Sequence, residues 1–265
     1  MVTALVYGRF GAALAVTGRN LAAARHASYW LVLVAGFAEP LLYLFSIGVG
    51  VGALIGDVPV AGGERLVSYA EFVAPATLAA SGMTGALAET IMNFFGKLKY
   101  LKLYDATLAT PVTPTQLAAG ELLWAMARGA FYAAAFLGVM VALDLTTLLR
   151  ALAAWPAALL VGFAFGGLGL GLATFLRSWQ DFDYVNVGQF ALFLFSGTFA
   201  PPDGYPLAAR ILIELTPLYH GVELVRGICL GLASWSLLWH AAYLAAMAAG
   251  GLWIAGRRLG KLLLS

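Results

Sequence analysis

One cysteine, Cys229, stands in 265 residues, and charged residues make up only 11% of them. A lone thiol excludes an intrachain disulfide and a cysteine-ligated metal cluster. Soluble chains carry about 25% charged residues, so the shortage of charge excludes an ordinary soluble domain. The formal net charge is +2 and no dense basic run occurs, which argues against a nucleic-acid partner. Histidine is equally scarce. His26, His220 and His240 are scattered, with His240 expected far from His220, so His220 reads as a hydrogen-bonded or interfacial residue and no metal site is expected. A phosphate-cradling G-x-x-x-x-G-K-[ST] loop is missing too, because Gly96-Lys97 and Gly260-Lys261 are each followed by Leu. This chain is therefore expected to hold no nucleotide and no cofactor of its own.

What fills the chain instead is apolar. Hydrophobic residues make up 62% and the mean hydropathy is +0.88, the composition of an integral membrane protein. Crossing the hydrocarbon takes about 20 apolar residues. Residues 1–27 fail that test, because Arg9, Arg19, Arg25 and His26 interrupt them; the apolar piece 10–16 is too short for a span and is bracketed by Arg9 and Arg19, so no cleavable leader is expected. They read as an amphipathic helix lying in the membrane interface. The rest, 28–265, reads as one six-span all-α domain. Its spans are expected at about 29–55, 69–95, 117–143, 151–176, 184–199 and 235–255, with a polar loop at 56–68. Between the fifth and sixth lies 207–230, which carries Arg210, Glu214, Pro217, His220, Glu223 and Arg226. That is too much charge for a lipid-exposed helix, and irregular backbone at membrane depth survives only against protein or water, so a re-entrant or interfacial helical hairpin is expected.

Lysine and arginine placement sets orientation. Ten of them (Arg9, Arg19, Arg25, Lys97, Lys99, Lys102, Arg177, Arg257, Arg258, Lys261) fall on one side of the alternation, against four (Arg65, Arg150, Arg210, Arg226) on the other. Both termini are thus expected in the cytoplasm, in a multi-pass cell-membrane protein. The stretch Lys97-Leu98-Lys99-Tyr100-Leu101-Lys102-Leu103-Tyr104-Asp105-Ala106 is cytoplasmic on the same count. On a single helix, Leu98, Leu101 and Tyr104 share a face beside Lys99 and Lys102. Such a surface helix docks on either the membrane surface or a partner protein.

Several polar residues need their own account. Glu39, Glu89, Glu121 and Arg128 lie inside spans, where a charge near the bilayer centre costs at least about 2.5–3.5 kcal/mol. They form either the polar lining of a substrate entrance or an ion pair that fixes helix packing, with Glu121 and Arg128 on one face and Glu39 or Glu89 neutralising Arg128. Asp181 and Asp183 sit in a cytoplasmic turn, where helix capping is favoured over a catalytic pair. The glycines at 48, 50 and 52 and at 162, 166, 167, 169 and 171 read as close helix packing. Tyr29, Trp30, Tyr69, Trp155, Trp179 and Trp235 fall near span ends and read as interfacial anchors.

Three blocks together carry a resemblance. The first is Glu39-Pro40-Leu41-Leu42-Tyr43-Leu44-Phe45. The second runs from Ala86-Leu87-Ala88-Glu89-Thr90 through the lysine stretch to Ala109-Thr110-Pro111 and Gly120-Glu121-Leu122-Leu123-Trp124-Ala125. The third is Leu194-Phe195-Ser196-Gly197-Thr198-Phe199-Ala200-Pro201, followed by Thr216-Pro217-Leu218-Tyr219-His220-Gly221-Val222-Glu223-Leu224-Val225-Arg226-Gly227. In this order they resemble permease subunits of type-2 ABC exporters. They are most like the nodulation-factor branch, which exports lipo-chitooligosaccharides, and more distantly similar to the daunorubicin-resistance permeases.

The resemblance implies an exporter that is not itself an enzyme; its cargo does not carry over, and an amphipathic one (glycolipid, lipo-oligosaccharide or drug-like) is the expectation. It implies two copies of a separate ATP-binding subunit, which hold the ATP and magnesium, and a second permease copy, identical or a paralogue. By position, residues 97–106 (Lys97, Leu98, Lys99, Tyr100, Leu101, Lys102, Leu103, Tyr104, Asp105 and Ala106) would be the coupling helix. The segment 201–227, with Pro201, Pro202, His220, Glu223 and Arg226, would be the outer gate. An ATP-independent secondary transporter relaying protons through Glu39, Glu89 and Arg128 is the alternative. A lipid-modifying membrane enzyme would need a clustered nucleophile or metal site, which the scattered histidines do not supply.

Overall fold

The computed structural model describes residues 9–25, 38, 41–42, 44–60, 63, 65–232 and 234–263. Glu39 and residues 29–37 of the expected first span lie outside these residues. Helix α1 (Arg9–Arg25) lays Ala12, Ala13, Val16 and Asn20 on its buried face, the i, i+4, i+8 spacing of a helix seated on another. A π-wound stretch, Leu44–Val51, runs into the short helix α2 (Gly52–Ile55).

Residues 56–68 were expected as loop, but an antiparallel hairpin forms there, β1 (Asp57–Val60) against β2 (Arg65–Ser68), pairing Asp57 with Ser68 and Val60 with Arg65. Alternation drives it: Val58, Val60 and Val67 turn inward onto Tyr69, Phe72, Val73 and Leu230. The fold is therefore mostly helical rather than wholly so.

Ser68 and Glu71 form a reciprocal capping box that starts α3 (Tyr69–Leu87). The chain stays helical past α3 through wider π turns at Ala88–Asn93 and Gly96–Tyr100. It breaks at Lys102, whose φ of 47° is left-handed, before the short helix α4 (Leu103–Leu108). The expected single helix over 97–106 is thus split. Its first half ends the helical run that begins at Tyr69 and its second half opens α4. Leu98 and Tyr104 are buried while Leu101 points outward, so these three do not share a face.

Helix α5 (Pro114–Ala142) opens on a Thr113–Gln116 capping box with Pro114 in its first turn. Helix α6 (Leu148–Ala173) is capped by Thr147. Then follow α7 (Asp181–Leu194), α8 (Leu207–Leu215), α9 (Pro217–Leu230) and α10 (Ser236–Leu263). Thr216-Pro217 breaks α8 from α9, and Gly231 ends α9 with a left-handed φ of 72°. Among the described residues, α5, α6 and α10 are long and apolar enough to cross a membrane.

The glycine-rich α6 lies at the centre. A Cβ added at Gly167 would stand 2.6 Å from the Ala248 carbonyl oxygen of α10, and one at Gly162 would stand 2.9 Å from the Met126 sulfur of α5. Close backbone approach is what these glycines provide, as the sequence suggested.

Candidate functional site

A cavity of about 670 Å³ lies between α3, α5, α6 and α7. Its wall is mainly apolar, with Phe136 and Tyr132 from α5. Thr77 and Ser81 from α3 and Asn186 and Gln189 from α7 add hydrogen-bonding groups. The Glu89 carboxylate and the Arg128 guanidinium also line it, joined directly as an ion pair. Arg128 lies 3.4 Å from the Tyr132 hydroxyl, and the Asn93 amide donates to Glu89 at 2.8 Å. Of the two carboxylates proposed to neutralise Arg128, Glu89 does so.

Glu121 belongs elsewhere. It shares α5 with Arg128 but does not line the cavity, and is only 6% exposed. Lys97 Nζ donates to it at 2.7 Å, Arg19 Nη2 at 2.9 Å and Asn20 Nδ2 at 3.0 Å. Arg19 also reaches Thr107 in α4, at 3.1 Å. One carboxylate thus ties four segments: α1, the end of the long second helix, α4 and α5. The knot closes because Gly120 has no side chain; a Cβ there would stand 2.6 Å from the Ala13 carbonyl oxygen. Tyr104 is fully buried beside it, packed on Phe94, and burial followed by the Glu121 charge pushes its hydroxyl pKa well above the ordinary value. Periodicity within α5 put Glu121 beside Arg128; the nearer cations come from other elements.

The lysine stretch divides accordingly. Lys97, Leu98 and Tyr104 turn inward and Leu103 is half-buried. Lys99, Tyr100, Leu101, Lys102 and Asp105 form an exposed corner, with Tyr100 59% and Leu101 70% exposed. The neighbouring turn is fixed by Asp181, which accepts from the Arg177 and Ser178 amides at 2.6 and 3.1 Å. Those bonds hold its carboxyl below the usual range; they pin the link ahead of α7 and do not cap the helix as expected, since Gln180 is the N-cap residue and no side chain caps there.

At the opposite end Arg226 is buried. Its guanidinium bonds Glu223 at 2.6 Å, the Gly197 carbonyl at 2.8 Å and the Phe72 carbonyl at 3.2 Å, and lies over the Phe72 ring. Pro202 packs beside Gly197. Pro201 and Pro202 are half-buried in the turn that follows. The expectation that His240 lies far from His220 is overturned, since their Nδ1 atoms are 2.7 Å apart. The turn after Gly231 folds α10 back along α9, so twenty residues of separation closes to a hydrogen bond, and His220 stacks on Tyr243. Among the described residues no group of three or more His, Cys, Asp or Glu side chains could hold a metal ion.

Residues 10–230 match the ABC-2 type transporter family, and the chain belongs to that family, as the membrane subunit of a transporter. Curated relatives include Nodulation protein J of Rhizobium leguminosarum bv. trifolii, 35% identical over 219 residues that cover 82% of this chain and 81% of the relative. Nodulation protein J of Rhizobium leguminosarum bv. viciae is 33% identical over 220 residues, 82% of each chain. The protein of that name from Rhizobium meliloti (strain 1021) is 31% identical over 220 residues, 82% of this chain and 81% of the relative.

Proposed function

We propose that the chain is the membrane subunit of an ATP-driven exporter that moves an amphipathic cargo out of the cytoplasm or the inner leaflet. A separate ATP-binding subunit, in two copies and holding the ATP and magnesium, docks on the Lys99–Lys102 corner. A second permease copy, identical or a paralogue, completes the assembly. The observation that carries this reading is the uninterrupted helical path from Tyr69 to Tyr100, which joins the exposed corner to Glu89 in the cavity wall. A push at Tyr100 is felt at the Glu121 knot through Lys97 and at the Glu89–Arg128 pair further along the same helix.

The cavity suits such a cargo in size, since small-molecule sites run to about 300–1,000 Å³. Its aromatic wall would take an acyl or ring portion and its hydroxyls and amides a polar portion, while the one ion pair is internally neutral. ATP binding would bias an equilibrium between inward- and outward-facing states. The Arg226 clamp would hold the outer end shut in one of them, with Pro201, Pro202, His220 and Glu223 around it as the outer gate. Six spans, an interfacial α1, a re-entrant α8–α9 hairpin and both termini in the cytoplasm of a cell-membrane protein complete the picture. The ten-to-four lysine and arginine asymmetry supports that orientation.

Co-purification with the ATP-binding subunit tests the docking assignment. Tyr100→Asp with Leu101→Asp should abolish the complex, and an undisturbed complex with an unchanged hydrolysis rate would refute it. A proton-driven transporter would use the Glu89–Arg128 pair as its relay, and uptake by the isolated chain under a pH gradient would favour that reading.

A further inference from the structure

Trp179, read from sequence as an interfacial anchor, has a different setting in the fold. Its ring stacks on Tyr100 with centroids 5.5 Å apart and planes at 24°. Beneath them Phe95 meets Trp179 edge-on at 5.4 Å, and Phe182 stacks on Trp179 at 5.0 Å. Phe95 and Phe182 are buried, while Tyr100 stays 59% and Trp179 46% exposed. A helix end and a link far apart in sequence thus build one aromatic step on a buried aromatic floor.

We propose that this step is the docking surface for the ATP-binding subunit, and that the Arg177–Asp183 link, through Trp179, supplies its second half. The inference rests on the reading that the Lys99–Lys102 corner faces that subunit, and adds a contact outside the lysine stretch. Three observations support it. The link is rigid before any partner arrives, because Asp181 accepts from the Arg177 amide at 2.6 Å and the Ser178 amide at 3.1 Å, with Ser178 Oγ at 3.2 Å. A preorganised aromatic loses little entropy on binding, which is why Trp and Tyr carry so much interface energy.

The rim is predominantly cationic, with Lys99, Lys102 and Arg177 exposed beside Asp105 and Asp183. An apolar groove edged by acidic side chains therefore fits it. The connections are mechanical as well. Tyr100 ends the long helix that brings Thr77, Ser81 and Glu89 to the cavity, and Trp179 leads into α7, which brings Asn186 and Gln189. One contact on the step would drive two walls of the cavity together. A lipid-resting tryptophan needs neither the partner ring nor the pinned link.

The test uses the permease co-expressed with its ATP-binding subunit in membranes, with the photocrosslinking residue p-benzoylphenylalanine placed at 100, 179 or 184. Tyr184, the strongly exposed next-turn residue on α7, is the control. Adducts to the ATP-binding subunit are expected from 100 and 179 and none from 184. Lipid adducts alone from 179, with subunit adducts from 100, would overturn the inference and leave the coupling reading standing. Failure at both positions would overturn both. In the assembled complex, Trp179→Ala should lower subunit affinity about tenfold or more, the scale of an aromatic interface anchor, and Trp179→Phe should restore most of it. Full affinity in Trp179→Ala would overturn the inference as well.

Discussion

Lys97 Nζ sits 2.7 Å from Glu121 Oε2, joining the last turn of the helical run Tyr69–Tyr100 to the first half of α5. Arg19 shares the same carboxylate, so a single buried acid holds α1 and the lysine stretch against α5. Glu121→Ala leaves two partly exposed cations without their partner. Breaking a buried pair costs about 3–5 kcal/mol, and the partial exposure of Arg19 and Lys97 discounts this to about 1–3 kcal/mol. At about 2–4 °C per kcal/mol for a chain of this size, the unfolding temperature in detergent should fall by several degrees, less for Glu121→Gln. An unchanged melting temperature would remove the knot from the account.

The Glu89–Arg128 pair makes a separate prediction. Glu89→Gln and Arg128→Gln should each lower transport, because each breaks the ion pair that the two form on the cavity wall. The exchange Glu89→Arg with Arg128→Glu should recover part of the loss. A double-mutant cycle on stability should return a coupling of about 1–3 kcal/mol. Recovery of stability without any recovery of transport would assign the pair to cargo rather than to packing.

Cys229 is a built-in reporter of the end that holds Arg226. It is buried and the chain holds no other thiol. The Arg226 clamp lies one turn away, and its removal leaves the Gly197 and Phe72 carbonyls without their donor, at about 1–3 kcal/mol each. Maleimide labelling of Cys229 should be slow in the native chain and at least about tenfold faster in Arg226→Ala, a local opening free energy reduced by roughly 1.4 kcal/mol or more. Equal rates in the two would show that the clamp does not close this end.

Gly167 tests helix packing. With the Ala248 carbonyl oxygen 2.6 Å from where a Cβ would stand, Gly167→Ala must push α6 and α10 apart. Overpacking of this kind costs typically about 1–3 kcal/mol. Gly129, whose surroundings are open, should accept Ala without loss in a parallel thermal melt.

What the sequence disclosed divides by range. The packing role of the α6 glycines is local, and local chemistry was enough for it. The need of Arg128 for a carboxylate was legible because an unpaired charge is costly in the bilayer. The partners of Glu121 were not legible because Arg19 and Asn20 stand 102 and 101 residues away, and helical periodicity names a face without naming the neighbour on it. His220 and His240 were separated for the same reason. The hairpin at Asp57–Ser68 was hidden by Pro59 and the glycines of its turn, although Val58, Val60 and Val67 carried the alternation. The left-handed Lys102 has no compositional signal, since that conformation favours glycine, and it alone splits the expected coupling helix.

The central claim is that ATP bound by a partner drives cargo through this chain by way of the Tyr100–Leu101 corner. Its most direct test is transport by proteoliposomes holding the permease with its ATP-binding subunit, with a fluorescent N-acyl glycolipid as probe. The account predicts ATP-dependent translocation that is lost in Tyr100→Asp with Leu101→Asp. Translocation by the permease alone, driven by a pH gradient and indifferent to ATP, would contradict it.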